Sequence, residues 1–579
     1  MHYNLVKKAS RAYLEEISNR INQMPLIYEC INLLQDTQFK INNKVLDVAK
    51  SIWDKGLTVG KIPAKYNLDV PPKPHDIADN KQARIDWSRR KKAICEYNAS
   101  LNSQRILFAK VFEIASTYQP FPSIQFPCQY DYRFRLYCVP QFFNYQNGDL
   151  PKALLLFTEG KPLETDEALA RLAIHGANCY GEVDKDTLEK RVEWVDKYEK
   201  QILDTAKDPH NHYSFWGSCS EPFQFLAFCF EWEAFVKAGR TADFVTHLPC
   251  YSDCTNSGLQ IFSGLLADER GGKATNLTPE NKPQDVYKEV AEEVLRLLKE
   301  EPDTQLKQMW IEYGINRYTT KKVTMCVVYG LTQFSCRKYI EEYIKENEDD
   351  GIPNPFSTDK NPREGKPKLF IATAYLSRIV WKALDNVIVS AKEAMSWLQQ
   401  VSKLVAQNNL PITWTTPNGA IVQMVCPVMK TKRVNTNMGE KIWRPKLNKY
   451  VSDIKKTTMQ VPTNKIDAHK VSNSISPSFV HSLDGAILQL AVCKASKKGV
   501  KNFATIHDSY GVLATDMNTM NDCVKQSFFE IFNNKNLLED FLNEIKPQIA
   551  EDKHKYIPAL PKKRNLDLSL LLKSNYFCS

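Results

Sequence analysis

Apolar residues recur at helical spacing over most of this chain and give way to short runs at only a few places. Residues 1–60 mix charged and apolar positions at that spacing and predict helices. Residues 62–77 carry Pro63, Pro71, Pro72 and Pro74 and predict a connector. A long helix is expected from about Ile85 to Thr117, beginning on the basic run Ser88-Arg-Arg-Lys-Lys92. Residues 122–145, punctuated by Pro122, Pro127 and Pro140, read as short strands. The helical pattern returns at about 164–240 and 279–347, the latter broken by Gly314 and Gly330, and again at about 370–408. Residues 348–367 are rich in Pro, Gly, Asn and Asp and predict a surface loop. β-prone runs and a basic, irregular segment fill 411–466. A helix is expected over about 477–498, and the tail from 517 is helical.

Two apolar runs end on a carboxylate and then turn. One is Leu248-Pro-Cys-Tyr-Ser-Asp-Cys-Thr-Asn-Ser-Gly-Leu-Gln260, with a strand near 245–253. The other is Phe503-Ala-Thr-Ile-His-Asp-Ser-Tyr-Gly511. Asp253 and Asp508 therefore sit at the tips of two predicted strands in an otherwise helical chain. The fold class is α+β and helix-rich, built around a small sheet that carries the carboxylates.

Length and composition narrow the reading. A chain of 579 residues implies two to four domains or subdomains, and 43% hydrophobic content can fill large cores. The formal net charge is +10, modest for this length, and it favours nucleic acid only where basic residues cluster. One such cluster holds Lys430, Lys432, Arg433, Lys441, Arg444, Lys446 and Lys449, and predicts a basic hairpin or long functional loop. Fifteen cysteines with no C-x-x-C pair read as reduced thiols that act as small core residues. No stretch reaches the ~18 apolar residues of a membrane helix. Glu15 and Glu16 speak against a mitochondrial presequence, so a cytoplasmic protein is expected. Gly56-Leu-Thr-Val-Gly-Lys61 lacks the length and the following Ser/Thr of a phosphate-binding P-loop.

Between the two aspartates lies Arg317-Tyr-Thr-Thr-Lys321, followed by Tyr329-Gly330. Arg317 and Lys321 are four apart and share a helix face, where a fork and a point charge can hold a triphosphate. Tyr329, two turns beyond Lys321, is expected to return near that face, beside a sugar. Gly330 allows close approach of a base or backbone. Two carboxylates with such a helix suit two-metal nucleotidyl transfer, in which divalent cations bridge carboxylates and phosphate oxygens. His481, in Ser476-Pro-Ser-Phe-Val-His-Ser-Leu-Asp-Gly485, is a third candidate, and His507 reads as a turn residue.

The set, in this order, resembles the phage-type single-subunit RNA polymerases shared by T-odd bacteriophages and mitochondria. Tyr130-Asp-Tyr-Arg-Phe-Arg-Leu-Tyr137, His175-Gly-Ala-Asn-Cys179, Phe225-Leu-Ala-Phe-Cys-Phe230 and Ile466-Asp-Ala-His-Lys470 are similar to further family segments, and the resemblance covers about 37–579. It implies a right hand, with a thumb at 37–121, a palm from 122–160, 244–269 and 481–579, a helical palm insertion at 161–243, and fingers at 270–480. Residues 1–36 would be the remnant of an N-terminal domain. The basic segment 430–463 resembles a promoter-reading specificity loop, with Lys432, Arg433 and Arg444 on nucleic acid. By the same resemblance, Asp253, Asp508 and the carbonyl of Cys254 would hold two Mg²⁺, one activating the RNA 3′-hydroxyl and one steadying pyrophosphate. Arg317 and Lys321, with Lys185, would hold the incoming triphosphate. Tyr329 and His481 would check the ribose, and Arg133 and Arg135 would lie along the nucleic acid.

The expected partners are a DNA template, an RNA transcript and ribonucleoside triphosphates. Two departures stand out. Lys322 replaces a frequent arginine, and only about 36 residues precede the thumb-like region. The second departure leads to the expectation of a second polypeptide supplying promoter recognition or opening, and of phage transcription in a bacterial cytoplasm. A family A-like DNA polymerase is the first rival. Gly258 stands where those enzymes carry an acidic residue that crowds a 2′-hydroxyl, and His507-Asp508 is followed by Ser509 rather than Glu. A catalytically inactive nucleic-acid-binding subunit is the second.

Overall fold

The structure is a computed structural model and describes residues 4–8, 10–349, 351–356, 368–436, 441–452, 456–533 and 535–579. Helices dominate, and its fourteen strands form seven two-stranded pairs among the described residues. The α+β expectation holds, with the sheet broken into local hairpins and pairings. One continuous core of buried apolar side chains runs from Val6 to Cys578. No described helix is long and apolar enough to cross a membrane.

The helix Ala468–Lys497 is the central beam. It packs against Val389–Ala406, Met517–Phe532, Pro25–Asp36 and Ser257–Leu266, and most of its side chains are buried. It starts earlier than the expected 477 because the Asp467 side chain caps it, accepting from the Lys470 amide, and the turn continues through Pro477. The beam carries His481 and Asp484 into the middle of the molecule.

The long helix Lys81–Tyr118 follows the proline-rich connector, with Asn80 accepting from the amides of Gln82 and Ala83. Only Leu101, Val111, Phe112 and Ala115 of its side chains are buried, so most of its length faces solvent. At 411–466, Ile412–Thr415 pairs with Ile421–Met424. A long antiparallel ribbon follows, Pro427–Asn435 against Lys456–Ile466, and Lys441–Arg444 pairs with Lys449–Ser452 between its arms. Lys432 and Arg433 are exposed on that ribbon, opposite Met459 and Thr458. Arg444 lies opposite Lys449. Residues 437–440 and 453–455 of the expected 430–463 segment, and 350 and 357–367 of the expected surface loop, lie outside the described residues.

Candidate active site

Strand Cys250–Asp253 pairs antiparallel with Ser509–Val512, in a register that sets Asp253 opposite Ser509 and Cys250 opposite Val512. Asp508 does not close a regular strand, as its sequence suggested. It sits in a tight turn in which Ile506 and Ser509 exchange amide–carbonyl bonds of 2.7 and 2.8 Å. His507 occupies that turn with φ of +54°, a left-handed backbone that side chains rarely adopt. The turn brings Asp508 beside Asp253, and the Cys254 amide donates to the Asp508 carbonyl at 3.0 Å.

The carboxylate strand is held from behind. The Tyr251 amide approaches His175 Nδ1 at 3.4 Å. Burial, followed by the charge of Lys152, lowers the pKa of that histidine to about 4, so it stays neutral. Gly176 lies where a Cβ would meet the Phe228 ring at 2.4 Å, which ties the His175 segment to the Phe225–Phe230 segment.

Asp253 is exposed, whereas Asp508 is half-buried and binds its proton more tightly than usual. Burial is the first cause, and the like charge of Asp253 adds to it. A hard divalent cation would relieve both, and two carboxylates with a backbone carbonyl are oxygen ligands of the right kind. On extended backbone the N–H and C=O of one residue point the same way, so the Cys254 carbonyl faces the Asp508 side. No group of three or more His, Cys, Asp or Glu side chains suited to a metal occurs among the described residues. A cation here would be held by two carboxylates completed by backbone and bound substrate.

One cavity of about 260 Å³ is lined by Asp253, Cys254, Asn256, Lys185, Arg317 and Lys321, together with Asp184, Asp285 and Tyr287. The helix Arg317–Val327 presents its cations there. Asn316 starts it with a capping box shared with Thr319. Arg317 donates to Asp285 and lies 5.1 Å from the centre of the Tyr287 ring. Lys321 has a lowered pKa, through burial first and then the charges of Arg317 and Lys185. Lys185 comes from the loop after helix Asp166–Tyr180 and pairs with Asp184 at 2.8 Å. Lys322 turns away, to Glu346.

Tyr329 is not on the cation helix. That helix ends at Val327, and Gly330, at φ of +86°, turns the chain so closely past Asn473 that a Cβ would stand 2.9 Å from its carbonyl oxygen. Tyr329 instead packs over the beam, its ring 4.8 Å from that of His481. Gly258 makes room for it: a Cβ there would stand 2.9 Å from Val328 Cγ2 and 3.2 Å from the Tyr329 hydroxyl. The space at Gly258 is thus filled in part by Tyr329.

Arg133 and Arg135 both reach this side but are engaged internally. Arg133 binds Asp131 through two nitrogens and approaches His481 Nδ1 at 2.6 Å. Arg135 is paired with buried Asp484. Burial, and then the charges of Arg135 and Arg133, lower the pKa of His481 to about 2, and similar causes lower that of His507 to about 3. Asp484 is pushed up to about 6 by burial, against the pull of Arg135.

Sequence reasoning missed Asp285, Tyr287, Asn256, Asp131 and Asp484 as partners. Asp484 lay inside a quoted block, but its pairing with a residue 349 positions away carries no sequence signal. The expectation that all cysteines are free thiols is corrected at one pair. Cys254 and Cys578 form a disulfide, because a bridge between the two strands sets them face to face, while thirteen others are free.

The fold brings together one carboxylate ending a strand, a second in the turn before its partner strand, four cations (Arg317, Lys321, Lys185 and Arg191) around one cavity, and a tyrosine ring tilted against a histidine, an arrangement of the kind that palm-type nucleotidyl transfer requires. The chain belongs to the DNA-dependent RNA polymerase family, whose model matches residues 161–557. It is 34% identical to the DNA-directed RNA polymerase of Enterobacteria phage T3 and 32% identical to T7 RNA polymerase of Escherichia phage T7, in each case over 96% of this chain and 64% of the relative. It is 29% identical to mitochondrial DNA-directed RNA polymerase 1 of Arabidopsis thaliana, over 96% of this chain and 54% of that protein. The chain therefore spans less than two thirds of the length of these relatives.

Proposed function

We propose that this chain catalyses DNA-directed RNA synthesis, adding ribonucleotides from triphosphates to an RNA 3′-hydroxyl on a DNA template. The observation that carries this reading is the pairing of the two carboxylate segments beside a cavity lined by Asp253 and by the cations Arg317, Lys321, Lys185 and Arg191. Mg²⁺ held by Asp253, Asp508 and the Cys254 carbonyl would supply charge neutralisation of the phosphates and activation of the attacking hydroxyl.

The protein's own groups do the rest. Arg317 and Lys321 hold the triphosphate with its leaving end toward Lys185. Asp285 keeps the Arg317 guanidinium aimed into the cavity until phosphate takes its place. Tyr329, wedged between Gly258 and His481, reads the sugar, and the absence of an acidic side chain at Gly258 leaves a 2′-hydroxyl unopposed. Arg133 holds His481 in place from the other side. Arg135, locked to Asp484, sets the potential beneath Asp508 and Tyr329. Lys432 and Arg433 on the basic ribbon, with Arg444 of the strand pair between its arms, contact DNA.

The test is extension of an RNA primer annealed to a DNA template, with Mg²⁺ and either ribo- or deoxyribonucleotides. Extension with ribonucleotides that disappears in Asp508→Asn is the expected result. Extension with deoxyribonucleotides alone would make it a DNA polymerase. Tight scaffold binding with no extension would mark a binding subunit.

A further inference from the structure

The disulfide between Cys254 and Cys578 joins residues 324 positions apart, directly after the exposed carboxylate Asp253. Backbone bonds hold the two strands together independently of the sulfurs. The Ser579 amide donates to the Asp253 carbonyl at 3.1 Å and the Thr255 amide to the Phe577 carbonyl at 3.1 Å. Thr255 Oγ1 bonds the Tyr576 carbonyl, and Gln260 Nε2 bonds that of Phe577. With the backbones so paired, the two Cα atoms are 4.0 Å apart and the sulfurs stay neighbours whether or not they are joined.

The pair is approached through Cys254, which is half-buried, whereas Cys578 is buried behind it. Cys254 lines the carboxylate cavity, and Cys578 lines a second cavity of about 300 Å³ with Arg171, Asn518, Asn521 and Lys525. Most free cysteines are buried in the core, and Cys95, which is exposed, lies on the long helix far along the chain. Small thiols and disulfides thus meet the pair at the Cys254 sulfur, beside the carboxylate cavity, with Cys578 held behind it as the resolving thiol.

We infer that Cys254 and Cys578 are a reversible modification site: a disulfide, made and broken by low-molecular-weight thiols, that fastens residues 576–579 to the carboxylate strand and tightens its hold on a divalent cation. Oxidation proceeds by exchange with a small disulfide such as that of glutathione. The Cys254 thiol attacks one of its sulfurs, that S–S bond breaks, and one glutathione leaves carrying the proton. The Cys578 thiol then attacks the mixed disulfide at the Cys254 sulfur, and the second glutathione leaves with the second proton. The two cysteines lose two electrons, and the glutathione disulfide gains them. Reduction runs the same two exchanges in reverse.

The lock acts on the cation because Asp253 and the Cys254 carbonyl are on the strand it fixes. Groups that orient a metal ligand alter affinity by about tenfold or more. This half of the inference rests on the proposed role of Asp253 and Asp508 as cation ligands, and the linkage itself does not.

Fully reduced protein should be exposed to glutathione disulfide and digested without reductant. The peptides holding Cys254 and Cys578 should then be found linked, released by dithiothreitol, and unlinked in Cys578→Ser and Cys578→Ala, with folding checked by circular dichroism. A Mn²⁺ titration followed by electron paramagnetic resonance should saturate at about tenfold lower concentration in the oxidised protein, and both variants should stay at the reduced value. Cation binding without linked peptides would overturn the lock, as would linkage with an unchanged titration midpoint. Linked peptides with no cation binding in either state would sink the metal reading of the carboxylates, and the lock's effect with it.

Discussion

At the scale of single residues, the site is governed by how buried charges are compensated. Arg135 and Asp484 are paired in the interior, with side chains 12% and 3% exposed. Removing one partner strands the other charge, so Asp484→Ala is expected to lower unfolding free energy by about 3 kcal/mol in chemical denaturation. The neutral state of His481 gives a pH signature. Its folded pKa of about 2 lies below the ordinary value of 6.5, so between those limits the unfolded chain binds a proton that the folded chain refuses. Its contribution to stability is complete above the ordinary value and is lost progressively as pH falls below it. Asp484, raised to about 6, works in the opposite sense: protonated when folded and ionised when unfolded, it favours folding as pH drops through that window. The comparison with His481→Gln isolates the histidine. The melting temperature of that variant should gain on the wild type as pH is lowered from neutrality, and a constant difference would show that His481 is not the buried neutral group described. On the proposed reading, in which Lys321 holds the reacting phosphates, Lys321→Ala should reduce kcat/KM for ribonucleotides by about 100-fold or more.

At the scale of elements, close approaches decide what each segment can do. The cation helix stops at Val327, and the turn behind it depends on Gly330, where φ is +86° and a Cβ would press on the Asn473 carbonyl. Gly330→Ala should cost about 1–3 kcal/mol in stability and displace Tyr329, raising deoxyribonucleotide use in a competition assay. Helical spacing correctly put Arg317 and Lys321 on one face, but it carried Tyr329 too far along the same helix, because periodicity alone does not register a turn at a glycine three residues past the helix end. The second carboxylate shows a similar limit. Phe503–Ile506 reads as a strand from its residue types, yet the regular pairing begins at Ser509, since a left-handed His507 turns the chain first.

At the scale of the whole molecule, the basic ribbon Pro427–Asn435 and Lys456–Ile466 projects exposed cations away from the core. If it holds DNA phosphates, replacing Lys432 and Arg433 with Ala should weaken promoter DNA binding and flatten the slope of log affinity against log salt by about 2. Primer extension on a preformed scaffold should change little. An unchanged slope would mean that the ribbon is not a phosphate-tracking surface.

Residue order and residue chemistry alone carried the class of this protein: two aspartates ending apolar runs, an Arg-x3-Lys helix between them, and a tyrosine–glycine pair after it, each legible because its signal is local. The partnerships were decided only by folding. Asp285 with Arg317, Asp484 with Arg135, Tyr329 against Gly258 and His481, and Cys254 with Cys578 each join segments far apart in the chain or separated by a turn. Local propensity and periodicity describe a residue's neighbours within a few positions. These contacts instead depend on which surfaces the core brings together, and the central beam Ala468–Lys497 is where most of them meet.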